Sequence, residues 1–170
     1  MGTPNEQAVA SPPIAKLHRD LLWQIFALNA DIEVVYLLIE VYGIKNMVRL
    51  SPLTTARHTS QVCVSWRQLV ISSSSLWGNI IDLEFLNQKS DIWRNEVLLR
   101  TGSEDLSIRG DIVYDDNAPG VAEFFELLLK NHWTRIMRVN VTVDIRSRRW
   151  PDDVWSTLER PAPALQSFSI

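Results

Sequence analysis

Few side-chain types carry chemistry, and in this chain they are scattered. The three histidines, His18, His58 and His132, lie 40 and 74 residues apart, with no Cys or His partner at metal-ligand spacing. Asp115-Asp116 and Asp152-Asp153 are adjacent carboxylate pairs. Carboxylates that cleave a glycosidic bond must face each other across a cleft, whereas adjacent loop carboxylates solvate a turn or cap a helix. Asp153 stands where a helix over 153–159 would start. Gly102 and Gly110 form no phosphate-cradling pattern, and the serine run 72–75 reads as a linker turn. Arg146-Ser147-Arg148-Arg149-Trp150 has the donors to recognise an acidic or phosphorylated partner, but its pattern favours a solvated loop before a helix. Cys63 is the single cysteine, so no intrachain disulfide forms and a reducing compartment is the natural setting. It reads as a reactive thiol or, as its apolar helical surroundings favour, as a small buried hydrophobe. No catalytic, metal or cofactor-binding residues emerge, and an enzyme is not expected.

Composition points the same way. With 170 residues, 46% of them apolar and seven of them Trp, the chain can bury a sizeable core. Its net charge is −3, from 17 basic and 20 acidic residues, which argues against a generic binder of nucleic acid or anionic membrane. The N-terminus has no basic start followed by an apolar run, so a secretory signal is not expected. The longest apolar stretch, over 32–48, is interrupted by Glu33, Glu40, Gly43, Lys45 and Asn46. It falls short of the roughly 20 apolar residues a membrane span needs. A soluble intracellular protein is expected, in which the sequon Asn140-Val141-Thr142 is a chance match inside a predicted strand.

The elements that would position any site fall into two parts. Residues 1–13 are small and polar, with three prolines, and read as a disordered leader. Leu17, Leu21, Leu22, Ile25, Phe26 and Leu28 share one helical face. An apolar insert at about 31–49 follows. Asp31 would cap a helix over 32–42 and Gly43 would end it. Ser51-Pro52 is a strong helix start, since Ser caps and Pro tolerates the first position. The helix predicted from it runs to about Val70, with Val62, Cys63, Trp66, Leu69 and Val70 on its apolar face. The part over 14–77 is thus all helix.

After Gly78 the rhythm changes to period-two alternation, which indicates strands: 80–85, 106–108, 139–143 and 168–170. Helices are predicted between them over 92–100, 121–132 and 153–159. Three strands fit apolar-x-x-apolar-x-apolar: Ile80/Leu83/Phe85, Ile136/Val139/Val141 and Leu165/Phe168/Ile170. The second strand fits with Ser103 in the first slot, then Leu106 and Ile108. The central positions, 83, 106, 139 and 168, are 23, 33 and 29 residues apart, near the period of leucine-rich repeats. The polar slot of that repeat falls on Gln88, Asp111 and Asp144. Parallel strands joined by right-handed helical crossovers would stack as a short solenoid over 78–170. Ending inside a strand, the chain is expected to be a piece of a longer repeat array.

These segments carry a resemblance. Leu17-His18-Arg19-Asp20-Leu21-Leu22-Trp23-Gln24-Ile25-Phe26, then Val62-Cys63-Val64-Ser65-Trp66 and Leu76-Trp77, resemble the F-box motif in order and spacing. Leu98-Leu99-Arg100-Thr101-Gly102-Ser103-Glu104-Asp105-Leu106-Ser107-Ile108 is similar to a stretch typical of mushroom-type fungal F-box proteins. His132-Trp133-Thr134-Arg135-Ile136 and Pro163-Ala164-Leu165-Gln166-Ser167-Phe168 resemble later repeats of that family. The chain departs from the family where His18-Arg19 replaces the usual Pro-Pro, and in the insert, which lengthens the gap before Val62.

The resemblance implies an α+β protein: an all-helical F-box followed by an α/β leucine-rich-repeat-like solenoid of parallel strands. It implies a substrate-receptor subunit of a ubiquitin ligase, docked on a Skp-type adaptor and through it on a cullin scaffold, in the cytoplasm or nucleus. Substrate would be held on the repeats. The adaptor-binding residues implied are Leu17, Leu21, Leu22, Ile25, Phe26, Val62, Cys63, Trp66 and Leu69. The alternative is a leucine-rich interaction or structural protein whose helices only cap the solenoid.

Overall fold

The computed structural model describes residues 17–31, 35–41, 44–114, 120–145 and 152–170. The expected leader, Gly43, Asp115-Asp116 and the basic cluster over 146–150 lie outside the described residues. In chain order the elements are α1 (Arg19–Asp31), β1 (Val35–Val41), β2 (Ile44–Leu50), α2 (Pro52–Thr59), α3 (Val64–Ile71), α4 (Ser74–Asn79) and β3 (Ile81–Asp82). Then come α5 (Ile92–Arg100), β4 (Leu106–Tyr114), α6 (Gly120–His132), a 3₁₀ turn (Trp133–Arg135), β5 (Ile136–Ile145), α7 (Asp152–Leu158) and β6 (Ser167–Ser169). The chain is an α+β protein in which helices precede a parallel sheet and alternate with its strands.

The first helix forms because Leu22, Phe26 and Ala30 recur every four residues and bury one stripe. It runs on through Asn29 to Asp31. The insert is not the expected helix. β1 and β2 form an antiparallel hairpin whose register runs from Val35↔Leu50 to Val41↔Ile44. Two runs of seven residues rich in Val, Ile, Leu and Tyr suit extended backbone better than helix.

Ser51 caps α2 as read from the sequence: its Oγ accepts from the backbone N–H of Leu53 at 3.2 Å, with Pro52 at the first helical position. The single helix predicted over 51–70 is two. The chain leaves α2 at Ser60 and re-enters helix at Val64, with Cys63 extended at φ −157° as the residue before α3. A third short helix, α4, follows from Ser74.

Trp77 ties α4 to α3 and α5. It is 1% exposed, its indole N–H donates to the Val70 carbonyl at 2.8 Å, and the Arg100 guanidinium lies 4.6 Å over its ring. Gly78 follows because the Asp105 carbonyl occupies the place a Cβ would take. Ile80, Ile81, Leu83 and Leu86 then continue the core with no exposed surface. Buried Arg94 of α5 holds the connection from β3 by donating to the carbonyls of Leu86 at 2.9 Å and Gln88 at 2.6 Å, and it pairs with Asp91. One hydrophobic cluster runs from Leu22 of α1 to Val154 of α7.

The sheet has the order β3-β4-β5-β6, parallel throughout. Helices α5, α6 and α7 cross between successive strands, the βαβ arrangement that the alternating pattern implied. Two details correct the repeat template. β3 is only two residues long, and the chain turns away at Leu83 rather than staying extended to Phe85. The aligned row is Ile81, Ile108, Val139 and Phe168, so its members are 27, 31 and 29 residues apart.

The shift has a physical cause. A bulge sets Leu106 opposite Ile136 and Ser107 opposite Arg138, so β5 spends one extra residue there. The third slot of β4 is therefore Gly110, opposite Val141. Gly110 has φ +119°, and a Cβ there would lie 3.0 Å from the Glu84 nitrogen. A side chain is excluded, so a search for apolar residues passes it by. In consequence Asp111 pairs with Thr142 and does not share a slot with Asp144.

Candidate functional site

Helices α1 and α3 pack together and leave a groove between them. Phe26 and Trp66 meet edge to face, with ring centroids 5.1 Å apart, and form its inner seam. A trough of about 850 Å³ lies beside the start of α1. Leu17 and Leu22 line it from the α1 side, and Val62, Trp66, Leu69 and Ile71 from the α3 side. Arg19, Cys63, Ser65, Arg67, Gln68 and Ser72 complete the lining.

The nine residues singled out in the sequence divide by burial. Leu22, Phe26 and Leu69 belong to the core. Leu17, Leu21, Ile25, Val62 and Cys63 are exposed and Trp66 is half-buried. Six of the nine, Leu17, Leu22, Val62, Cys63, Trp66 and Leu69, share the groove. Leu21 and Ile25 continue an exposed aliphatic row along α1 that ends at Leu28, and Phe26 turns inward against α2 and α4. Ile71, Arg19 and Arg67 also line the groove and were not singled out.

Cys63 is the expectation most clearly overturned, because its thiol is exposed rather than buried among apolar neighbours. It lies 3.2 Å from the Ser65 hydroxyl. That hydrogen bond first, and the backbone of Trp66 second, hold the thiol below the range of an ordinary cysteine. Arg67 folds back over the α2–α3 connection, its Nε–H donating to the Ser60 carbonyl at 3.1 Å.

The histidines are not brought together. His18 pairs with Asp20 at 3.3 Å at the start of α1, His58 is exposed on α2, and His132 closes α6. Burial first, and the positive charge of Arg135 second, push the His132 imidazole down from its ordinary value. Among the described residues no three His, Cys, Asp or Glu gather as metal ligands. No described helix is long and apolar enough to cross a membrane.

A second surface lies on the sheet. Ser107 and Arg109 of β4 alternate with core residues Ile108 and Ile112, and Arg138, Asn140 and Thr142 of β5 alternate with Val139 and Val141. Register places Ser107, Arg138 and Ser167 in one row, and Arg109, Asn140 and Ser169 in the next. At the β4 side this polar face meets the helices: the Arg109 guanidinium donates to the carbonyls of Asn79 at 2.7 Å and Ala30 at 3.2 Å. On β5 and β6 the residues of the face are exposed.

Chemically, the groove can bury apolar side chains of a partner and the sheet face can hydrogen-bond to one. Comparison with protein-family models, curated proteins and solved structures finds no match. The geometry and the sequence motifs therefore carry the functional reading by themselves.

Proposed function

We propose that the chain is a substrate-receptor subunit of a Skp–cullin–F-box ubiquitin ligase, with F-box-type helices followed by leucine-rich-repeat-like β/α units. The observation that supports this reading best is the groove. Six of the nine residues implied by the F-box resemblance line one apolar trough, with Leu21 and Ile25 exposed beside it. Exposed aliphatic and aromatic side chains gathered in one place mark an interaction surface. In this reading the Skp-type adaptor covers that surface and the cullin scaffold follows through the adaptor. The polar face over β5 and β6 holds the substrate. The chain performs no bond chemistry; it raises the transfer rate by holding the target near the charged conjugating enzyme. Such a subunit works in the cytoplasm or nucleus.

A second reading has its own support. Leu22, Phe26 and Leu69 serve the chain's own core, and α4 packs against β4. Helices that only cap a repeat array would do the same, which gives a leucine-rich interaction or structural protein without ligase association.

Co-expression with the Skp-type adaptor of the same organism, followed by size-exclusion chromatography, separates the two. The ligase-receptor reading expects co-elution that Ile25→Asp and Trp66→Ala each abolish. A folded chain that never co-elutes sinks it and leaves the second reading.

A further inference from the structure

We propose that His132 and Arg135 form a proton-sensitive latch, which fastens the connection between α5 and β4 to the connection between α6 and β5 and releases it on acidification. The latch couples neighbouring β/α units, whichever partner the groove or the sheet face holds.

The backbone sets the pair up. Helix α6 ends at His132, and the 3₁₀ turn Trp133–Arg135 leads into β5. Side chains three apart on such a turn lie over one another, so His132 and Arg135 share a side. Trp133 between them is the anchor. It is buried, and its indole N–H donates to the Arg160 carbonyl at 2.9 Å.

Arg135 then reaches across to the neighbouring unit. Its Nε–H donates to the Glu104 carbonyl at 2.9 Å, and its Nη2 donates to the same carbonyl and to the Thr101 hydroxyl at 3.1 Å. Thr101 caps the end of α5 and has no exposed surface. A cation there also meets the negative end of the α5 dipole. The connection so held touches the helical part too, because the Asp105 carbonyl fills the place of a Gly78 Cβ.

The remaining arm of the guanidinium meets the switch. Arg135 Nη1 lies 3.4 Å from His132 Nδ1. A guanidinium is always charged and only donates, so Nδ1 must carry the lone pair for this contact to hold. Protonation turns Nδ1 into a donor and sets two cations face to face. The other charged side chains about the ring are Lys130 on α6, Glu104 and Asp105 on the connection, and Arg160, which donates to the Lys130 carbonyl at 3.1 Å. Burial first, and the charge of Arg135 second, oppose protonation of the ring. The latched imidazole therefore takes up a proton less readily than a free one, and proton uptake is linked to release.

Hydrogen exchange of the full chain, read by mass spectrometry and corrected for the intrinsic pH dependence of exchange, tests the latch. Peptides covering 99–106 and 132–137 are followed at about pH 7.5 and 5.5, with one covering 108–113 as the core reference. Both latch peptides are expected to be less protected than the core peptide, as a local opening requires. Their protection is expected to fall severalfold at the lower pH, with a ceiling of about tenfold one unit below the free imidazole value of about 6.5. His132→Gln keeps an uncharged acceptor beside Arg135 and is expected to hold the latch closed at both values. His132→Lys carries a permanent charge and is expected to lower protection at both. Wild-type protection that does not change with pH overturns the proposal. Latch peptides that exchange no faster than the core peptide open only with the whole chain, which overturns it too. A His132→Gln chain that keeps the wild-type pH response shows another group to be the switch and has the same effect.

Discussion

Leu21 and Leu22 are neighbours in sequence with opposite fates, and that makes them a test of the whole reading. Leu22 is 8% exposed and Leu21 is 49% exposed. Truncating a buried Leu to Ala removes transfer energy and leaves a cavity, at a cost of about 2–5 kcal/mol. Leu22→Ala should therefore lower the urea midpoint markedly. Leu21→Ala should move stability by about 0.5 kcal/mol, the range of an ordinary surface change. Under the proposed ligase-receptor reading, adaptor binding should reverse the order of specific effects. Fully burying a Leu is worth about 1.5–3 kcal/mol. Leu21 has about half its surface left to bury, so covering it contributes on the order of 1 kcal/mol, or roughly five- to tenfold in Kd. The assay is paired: urea unfolding of each variant alone, and titration with adaptor under conditions where both are folded. The reasoning is refuted if Leu21→Ala unfolds the chain as readily as Leu22→Ala. It is also refuted if a folded Leu21→Ala variant binds adaptor with unchanged Kd.

Other consequences are open to measurement. Gly78→Ala drives a methyl into the Asp105 carbonyl, so the link between α4 and β4 must shift. A loss of about 1–3 kcal/mol in urea unfolding is expected, and an unchanged midpoint would show that the approach relaxes freely. His132 has a folded pKa below its ordinary 6.5, so the unfolded chain binds the proton more readily. The native state thus loses stability as pH falls below about 6.5 through the folded value. His132→Asn should flatten that limb of the stability–pH curve, and an identical slope in the variant would exclude His132 as its source.

The parts of this fold that were legible share one property: a periodic pattern with clear ends. The helix over 92–100 was read with the bounds of α5, and 121–132 differs from α6 by one residue. The insert failed because a run such as Val35–Val41, apolar but for Glu40, has no decisive period. The missed signal is the pair Tyr42-Gly43 between two seven-residue β-prone runs, a hairpin spacing. The break between α2 and α3 has no Gly or Pro to announce it. Starting a new helix at Val64 resets the helical phase, which put Val62 and Cys63 in the connection and brought Ile71 into the groove. Leu22, Phe26 and Leu69 illustrate a deeper limit. A stripe at helical spacing is the same whether it faces the chain's own core or a partner, and only packing tells them apart.

The junction at Trp77 and Arg109 has a mechanical consequence. Arg109 spans from the sheet to the ends of both α1 and α4, and Trp77 ties α4 to α3 and α5. At this seam only Ile80 separates α4 from β3. The groove and the polar sheet face are therefore two ends of one ruler, and in the proposed reading an adaptor and a substrate seated on them are held at a set spacing. In a flexibly linked protein the local concentration of one guest around the other falls smoothly as the linker grows. Under that reading it is set by the span of the ruler, so residues inserted beside Ile80 change the separation of the two guests rather than only their local concentration.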